Sequence, residues 1–216
     1  MKPACTYLHP VYMLILLFPV AACNNQPVNR VPESNGVSSV SRDPNANLNI
    51  DKSPMDMSYY PVDYPQLKMR GAASQPLVAR VIYSRPSVDG RRIFGDLLKY
   101  GLPWRLGANE ATEIEFFQPV SIQNKNVDAG RYVMYGKPYP DHWTIVLNKD
   151  LFTWGLKIDS TKDSFQFEIP VKKLSYSIAI FTMEFKNTDE GAALMMGWDS
   201  VQASLPFFPS QTTILK

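Results

Sequence analysis

An all-β domain, a single antiparallel β-sandwich or barrel-like fold with one short helix, is the fold class this sequence predicts, on three observations. Apolar and polar residues alternate at a period of two in several separate runs, the period of a strand and not of a helix. Clusters of turn-forming residues fall between those runs. β-branched and aromatic residues dominate only from about Asp51, after a polar stretch with no aromatic residue. The chain is therefore divided into an export segment (1–22), a lipidated cysteine with a flexible tether (23–50) and one β-rich globular domain (51–216).

The export segment has three parts. Lys2 supplies positive charge, Val11 to Val20 (VYMLILLFPV) an apolar core, and Val20-Ala21-Ala22 small residues directly before Cys23. This order resembles a bacterial lipobox, in which the cysteine thiol takes a diacylglycerol after cleavage. The apolar run is shorter than the ~20 residues a membrane-crossing helix needs, and Pro10 and Pro19 bound it. An ordinary secretory signal with a chance cysteine at the cut is the other alternative. Two or more acyl chains on Cys23 would anchor the protein durably, where one would not. The lipid membrane is thus the first expected partner. Asn24 and Asn25 follow the cysteine with no acidic run, so a periplasm-facing position is expected.

Cleavage would also set limits on the chemistry. Cys5 and His9 leave with the first 22 residues, lipid occupies Cys23, and His142 is the single histidine that remains. A disulfide, a reactive thiol and a zinc site of His and Cys are then all excluded.

Asn24 to Ile50 is rich in Asn, Ser and Pro and cannot bury enough apolar surface to offset its ordering entropy. As a random coil it would span about 30 Å, keeping the domain close to the membrane surface.

Strand signals follow within the domain. In Thr112–Phe116, Ile114 and Phe116 share one face and Glu113 and Glu115 the other; the two glutamates most simply form a solvated surface. Trp143, Ile145 and Leu147 alternate with Thr144 and Val146, and Phe165, Phe167 and Ile169 with Gln166 and Glu168. Leu194, Met196 and Trp198 repeat the pattern near the C-terminus. Turns are predicted at 123–126, 138–141, 159–163 and 187–191, giving eight or nine strands. The one predicted helix is Arg91 to Tyr100 (RRIFGDLLKY), closed by Gly101.

Tyr83 to Thr112 reads YSRPSVDGRRIFGDLLKYGLPWRLGANEAT. It closely resembles the signature of the bacterial family known as domain of unknown function 2911. The matching residues are Tyr83-Ser84-Arg85-Pro86, Gly90-Arg91, Ile93-Phe94-Gly95, Tyr100-Gly101, Trp104-Arg105 and Gly107 to Thr112. Ala129 to Tyr132, His142 to Thr144, Asn148-Lys149 and Trp154-Gly155 also look like family landmarks. Lys99 stands where the family often has proline, and Met134-Tyr135 where it has a Leu-Phe pair. The resemblance covers roughly residues 53–207 and implies a β-rich exported domain with no established activity.

Several function classes are excluded by absence of signal. The net charge of +2 gives no electrostatic footprint for nucleic acid. No G-x-S-x-G elbow, dinucleotide fingerprint, phosphate loop or calcium loop occurs, so no cofactor and no metal are expected. Two clusters remain. Arg85, Arg105, Asn109 and Glu110 could form a polar site in which arginine forks grip a carboxylate or hydroxyls; the competing reading is an Arg–Glu pair, buried to fix a turn. Tyr139, between two prolines, could join Tyr135 and Trp154 as a stacking platform for a sugar ring, unless the tryptophans are core. The expected function is a membrane-tethered envelope lipoprotein that binds a glycan or other envelope component without catalysis. A structural or protein-interaction lipoprotein, with an envelope protein as partner, is one alternative; a hydrolase using Glu110 and a second carboxylate is another.

Overall fold

The computed structural model describes residues 51–189 and 191–210. The predicted export segment, Cys23 and the predicted tether through residue 50 lie outside the described residues.

Nine strands form an antiparallel sheet among the described residues. β1 (Met55–Tyr60) is followed by the helix α1 (Tyr64–Met69), and then by β2 (Ala79–Ser84) and β3 (Glu113–Phe116). A short hairpin, β4 (Val120–Ile122) and β5 (Lys125–Val127), precedes the central pair β6 (Gly130–Pro138) and β7 (His142–Asn148). Two long strands, β8 (Asp163–Thr188) and β9 (Gly191–Pro209), follow. Their spatial order is β1-β2-β3-β6-β7-β8-β9-β4-β5.

β8 is what makes a sandwich-like body from this sheet. Its first residues, from Asp163 to Pro170, pair with β7, whereas Val171 to Thr188 pair with β9. The register slips between Lys173 and Ile178 and again between Ile178 and Thr182, which bends the strand. The later part of β8 and β9 thereby fold back over β1 and β2. Tyr60 meets Phe185 and Phe207, Tyr83 meets Phe181, and Phe116 meets Phe207, with ring centres 5.5–6.3 Å apart. Gln123 and Lys125 of the β4–β5 hairpin donate to the Glu168 and Gln166 carbonyls, a side-chain closure onto the start of β8.

The alternation reads the core correctly. Ile114, Phe116, Trp143, Ile145, Leu147, Phe167 and Ile169 are all buried. Thr144 and Val146, on the other face of β7, are buried too. Glu113 and Glu115 do not form a plain solvated surface. They are half-buried and paired to cations of neighbouring strands, Glu115 with Arg80 at 2.5 Å and Glu113 with Arg131 at 3.6 Å.

Turns are present at 123–126 and 138–141, and a 3-10 turn at Ser160–Lys162 leads into β8. At Gln123-Asn124 both residues take positive φ (47° and 60°), the twist a two-residue hairpin favours. The predicted helix over Arg91–Tyr100 is absent. Gly95 sits at φ +86°, outside the helical region, and its N–H turns forward to the Leu98 carbonyl. Ile93 and Phe94 are drawn into the core, and a loop results. The helix lies instead at Tyr64–Met69 and buries none of its residues. Among the described residues no helix is long and apolar enough to cross a membrane.

Candidate functional site

The stretch Arg85–Thr112 leaves β2, crosses to β8 and returns to β3. Its start is fastened at the crossing, where Val88 N donates to Ala179 O and Phe181 N to Pro86 O. Trp104 N and the Gly136 N–H exchange hydrogen bonds with each other's carbonyls (2.7 and 2.8 Å), holding the far end against β6. The Trp104 ring is driven inward, packing on Trp143, Phe181 and Trp198 with centres 5.0–5.8 Å apart.

The four polar residues predicted as one cluster are not hydrogen-bonded to one another; each side chain that bonds has its own partners. Arg85 is engaged at the crossing. It donates to Asp56 Oδ2 at 3.0 Å, to Thr182 Oγ1 at 3.1 Å and to the Phe181 carbonyl, so it joins β1, β2 and β8. Asn109, at φ +56°, donates to Asp51 Oδ2 (2.9 Å) and the Ser53 carbonyl (3.1 Å), tying down the chain before β1. Arg105 donates to the Trp154 carbonyl at 3.1 Å, and its guanidinium lies 5.9 Å from the centre of the Trp154 ring. Glu110 is exposed, so the buried Arg–Glu pair is not formed. Burial lowers the pKa of Arg105 from its ordinary value, and the nearby Glu110 charge opposes that shift.

The aromatic platform is also rearranged. Tyr135 is buried on the face of β6 opposite Met134, with its hydroxyl donating to Asp163 Oδ2 at 2.8 Å. Tyr139 stacks on His142 instead, centre to centre at 4.5 Å, and His142 Nδ1 lies 2.8 Å from Asp141 Oδ1. Trp154 alone of the three reaches an open hollow, and it is not core: 52% of it is exposed.

Two concavities flank the Arg105–Trp154 contact. The larger, about 420 Å³, is walled by Leu97, Leu98, Leu102 and Leu156, with Trp104 and Trp198 at its base. Arg91, Lys99 and Arg105 line it as well. The smaller, about 360 Å³, lies between Met55, Phe152 and Trp154 on its apolar side and Glu110 and Glu113 on its polar side. Gly155 holds the two together. A Cβ there would lie 2.9 Å from the Cβ atoms of both Arg105 and Ala111, so only glycine lets the 149–159 loop approach so closely. Ala111 N donates to Thr153 O across the same seam.

The family known by the description "Protein of unknown function (DUF2911)" matches residues 67–207. This chain belongs to that family. No curated protein and no solved structure matches it. Within this DUF2911 domain, the signature Tyr83–Thr112 supplies most of the wall of the larger cleft, from Pro86 through Ala108.

Sequence reasoning missed Phe152, 82% exposed beside Trp154, and the leucines of the larger cleft. A signal was available for Phe152. Leu151-Phe152-Thr153-Trp154-Gly155-Leu156 is apolar, yet it does not alternate and lies between Asp150 and a turn. Among the described residues, no three His, Cys, Asp or Glu side chains come together as a metal-binding group.

Proposed function

We propose that this protein is a cell-envelope lipoprotein held on a membrane through Cys23, whose β-rich domain binds a glycan or other envelope component without catalysis. One observation carries the binding reading: Phe152 and Trp154 present apolar faces to solvent beside the carboxylates of Glu110 and Glu113. Large aromatic residues are mostly buried, and exposed apolar patches mark interaction sites. A sugar ring offers C–H faces to an aromatic side chain and hydroxyl donors to carboxylates, and this hollow supplies both acceptors and faces. Glu113 is held in place by Arg131 and by the Phe152 N–H at 3.3 Å, a preset acceptor rather than a mobile one.

The test is a screen of glycans and envelope fragments against the full chain, with Phe152→Ala, Trp154→Ala and Tyr139→Ala. Losses of roughly ten-fold at Phe152 and Trp154, with none at Tyr139, are expected. Unchanged binding in the first two variants refutes the site. Membrane association that survives Cys23→Ser refutes the anchor. Glu110 and Glu113 sharing one hollow favours the hydrolase as the second reading. Turnover of a bound glycan that Glu110→Gln abolishes would replace binding by catalysis.

A further inference from the structure

The larger cleft has a different chemistry from the aromatic hollow. Four leucines and two tryptophan edges wall it, three cations line it, and no carboxylate lines it among the described residues. Its volume of about 420 Å³ falls in the range of small-molecule sites.

The cations are unequally engaged. Lys99 lies 3.4 Å from Asp96 Oδ1 and is partly balanced. Arg91 gives its donors to the Val88 and Ser87 carbonyls, and Arg105 gives one to the Trp154 carbonyl. Each guanidinium carries five N–H donors, so three remain on Arg91 and four on Arg105. Neither has a carboxylate within 4 Å among the described residues. Arg91 is exposed and Arg105 half-buried, so both stay open to an incoming ligand, and a bidentate oxyanion is the partner a guanidinium fork fits best.

We infer that this cleft binds a single-chain amphipathic anion, with its apolar chain against Leu97, Leu98, Leu102 and Leu156 and its oxyanion head on Arg105 and Arg91. The head can be a carboxylate or a phosphate, because both present paired oxygens to a guanidinium. An uncharged chain would gain the apolar contact alone, and a cationic one would meet repulsion from three like charges. This site does not depend on glycan binding at Phe152 and Trp154.

Calorimetric titration of the full chain with decanoate, decyl phosphate, decanol and decyltrimethylammonium, each below its micelle-forming concentration, tests it. Saturable binding of at least one of the two anions is expected, with decanol weaker by about ten-fold or more and no binding of the cation. Which anion binds more tightly identifies the head. Arg105→Gln and Leu102→Glu should each weaken the anion about ten-fold or more with Tm unchanged, while Phe152→Ala leaves it unaltered. Leu102 is 58% exposed, so its variant reports even if Arg105→Gln unfolds. Absence of saturable binding by both anions, equal binding of decanol, or unchanged affinity in Leu102→Glu would overturn the inference.

Discussion

Trp104, Trp143 and Trp198 lie inside the body of the protein, whereas Phe152 and Trp154, only a few residues beyond β7, face solvent. The two groups differ in how the backbone presents them. Trp143 and Trp198 occupy inward positions of β7 and β9, and Trp104 is drawn in by its backbone exchange with Gly136. Phe152 and Trp154 belong to a loop whose backbone is held to 105–113, so their rings have no core to enter. Fifteen close aromatic pairs occur among the described residues, and none includes Phe152 or Trp154. Their ring contacts are with Arg131 and Arg105 instead. Aromatic surface held out by a fixed loop is surface available to a ligand.

Four measurements test this contrast, and the largest effect belongs to the interior. Trp198→Ala removes a buried indole stacked 5.8 Å from Trp104 and should cost about 3–5 kcal/mol in denaturant unfolding. A loss under 1 kcal/mol would mean that the interior group is not the core of the fold. Arg85→Ala comes next. Its ion pair with Asp56 is part-exposed and contributes little by itself, but the bonds to Phe181 and Thr182 bring the expected cost to about 1–2 kcal/mol. A neutral result would free Arg85 from the structural role assigned to it.

Tyr135 gives a pH-dependent effect. Burial first, and then the bond to Asp163, raise its hydroxyl pKa above the ordinary 10.0. The unfolded tyrosine releases its proton at about pH 10 while the folded one still holds it. This group's contribution is therefore fully present below about pH 10 and is lost as pH rises from there towards the folded pKa. Tyr135→Phe should cost about 1 kcal/mol at neutral pH and flatten the alkaline fall in stability; an unchanged alkaline limb would refute the assignment. The smallest effect is expected at the ledge. Trp154→Ala should change unfolding stability by no more than about 0.5 kcal/mol, and a larger loss would place that ring among the structural aromatics.

Much of the fold was legible in the sequence because a strand with one buried face writes its burial into a period of two. Ile114 and Phe116, the odd positions of 143–147, and the run to Trp198 all follow that rule. The helix at Tyr64–Met69 was not legible, since a six-residue helix that buries nothing imposes no period. The loop at 91–100 misleads for the opposite reason: its apolar residues look helical, and the positive φ of Gly95 decides otherwise. The polar cluster failed in a third way. Arg85 bonds to β8 and Arg105 to the Trp154 carbonyl, and the pairing with β8 depends on residues almost a hundred positions away. Trp154 was found as a candidate, but its exposure is set by the loop's attachment to Ala111 and Glu113, which leaves no local pattern.

The bend in β8 has a further consequence. One continuous strand of 26 residues contributes hydrogen bonds to both β7 and β9, so neither half of the sheet has a complete edge without the other. The halves should melt together in one two-state transition rather than as separable foldons. Any molecule that binds only the native surface then stabilises the whole cooperative unit in proportion to the logarithm of its concentration. A thermal scan against a panel of candidate compounds would register occupancy anywhere on the domain as a shift of that single midpoint.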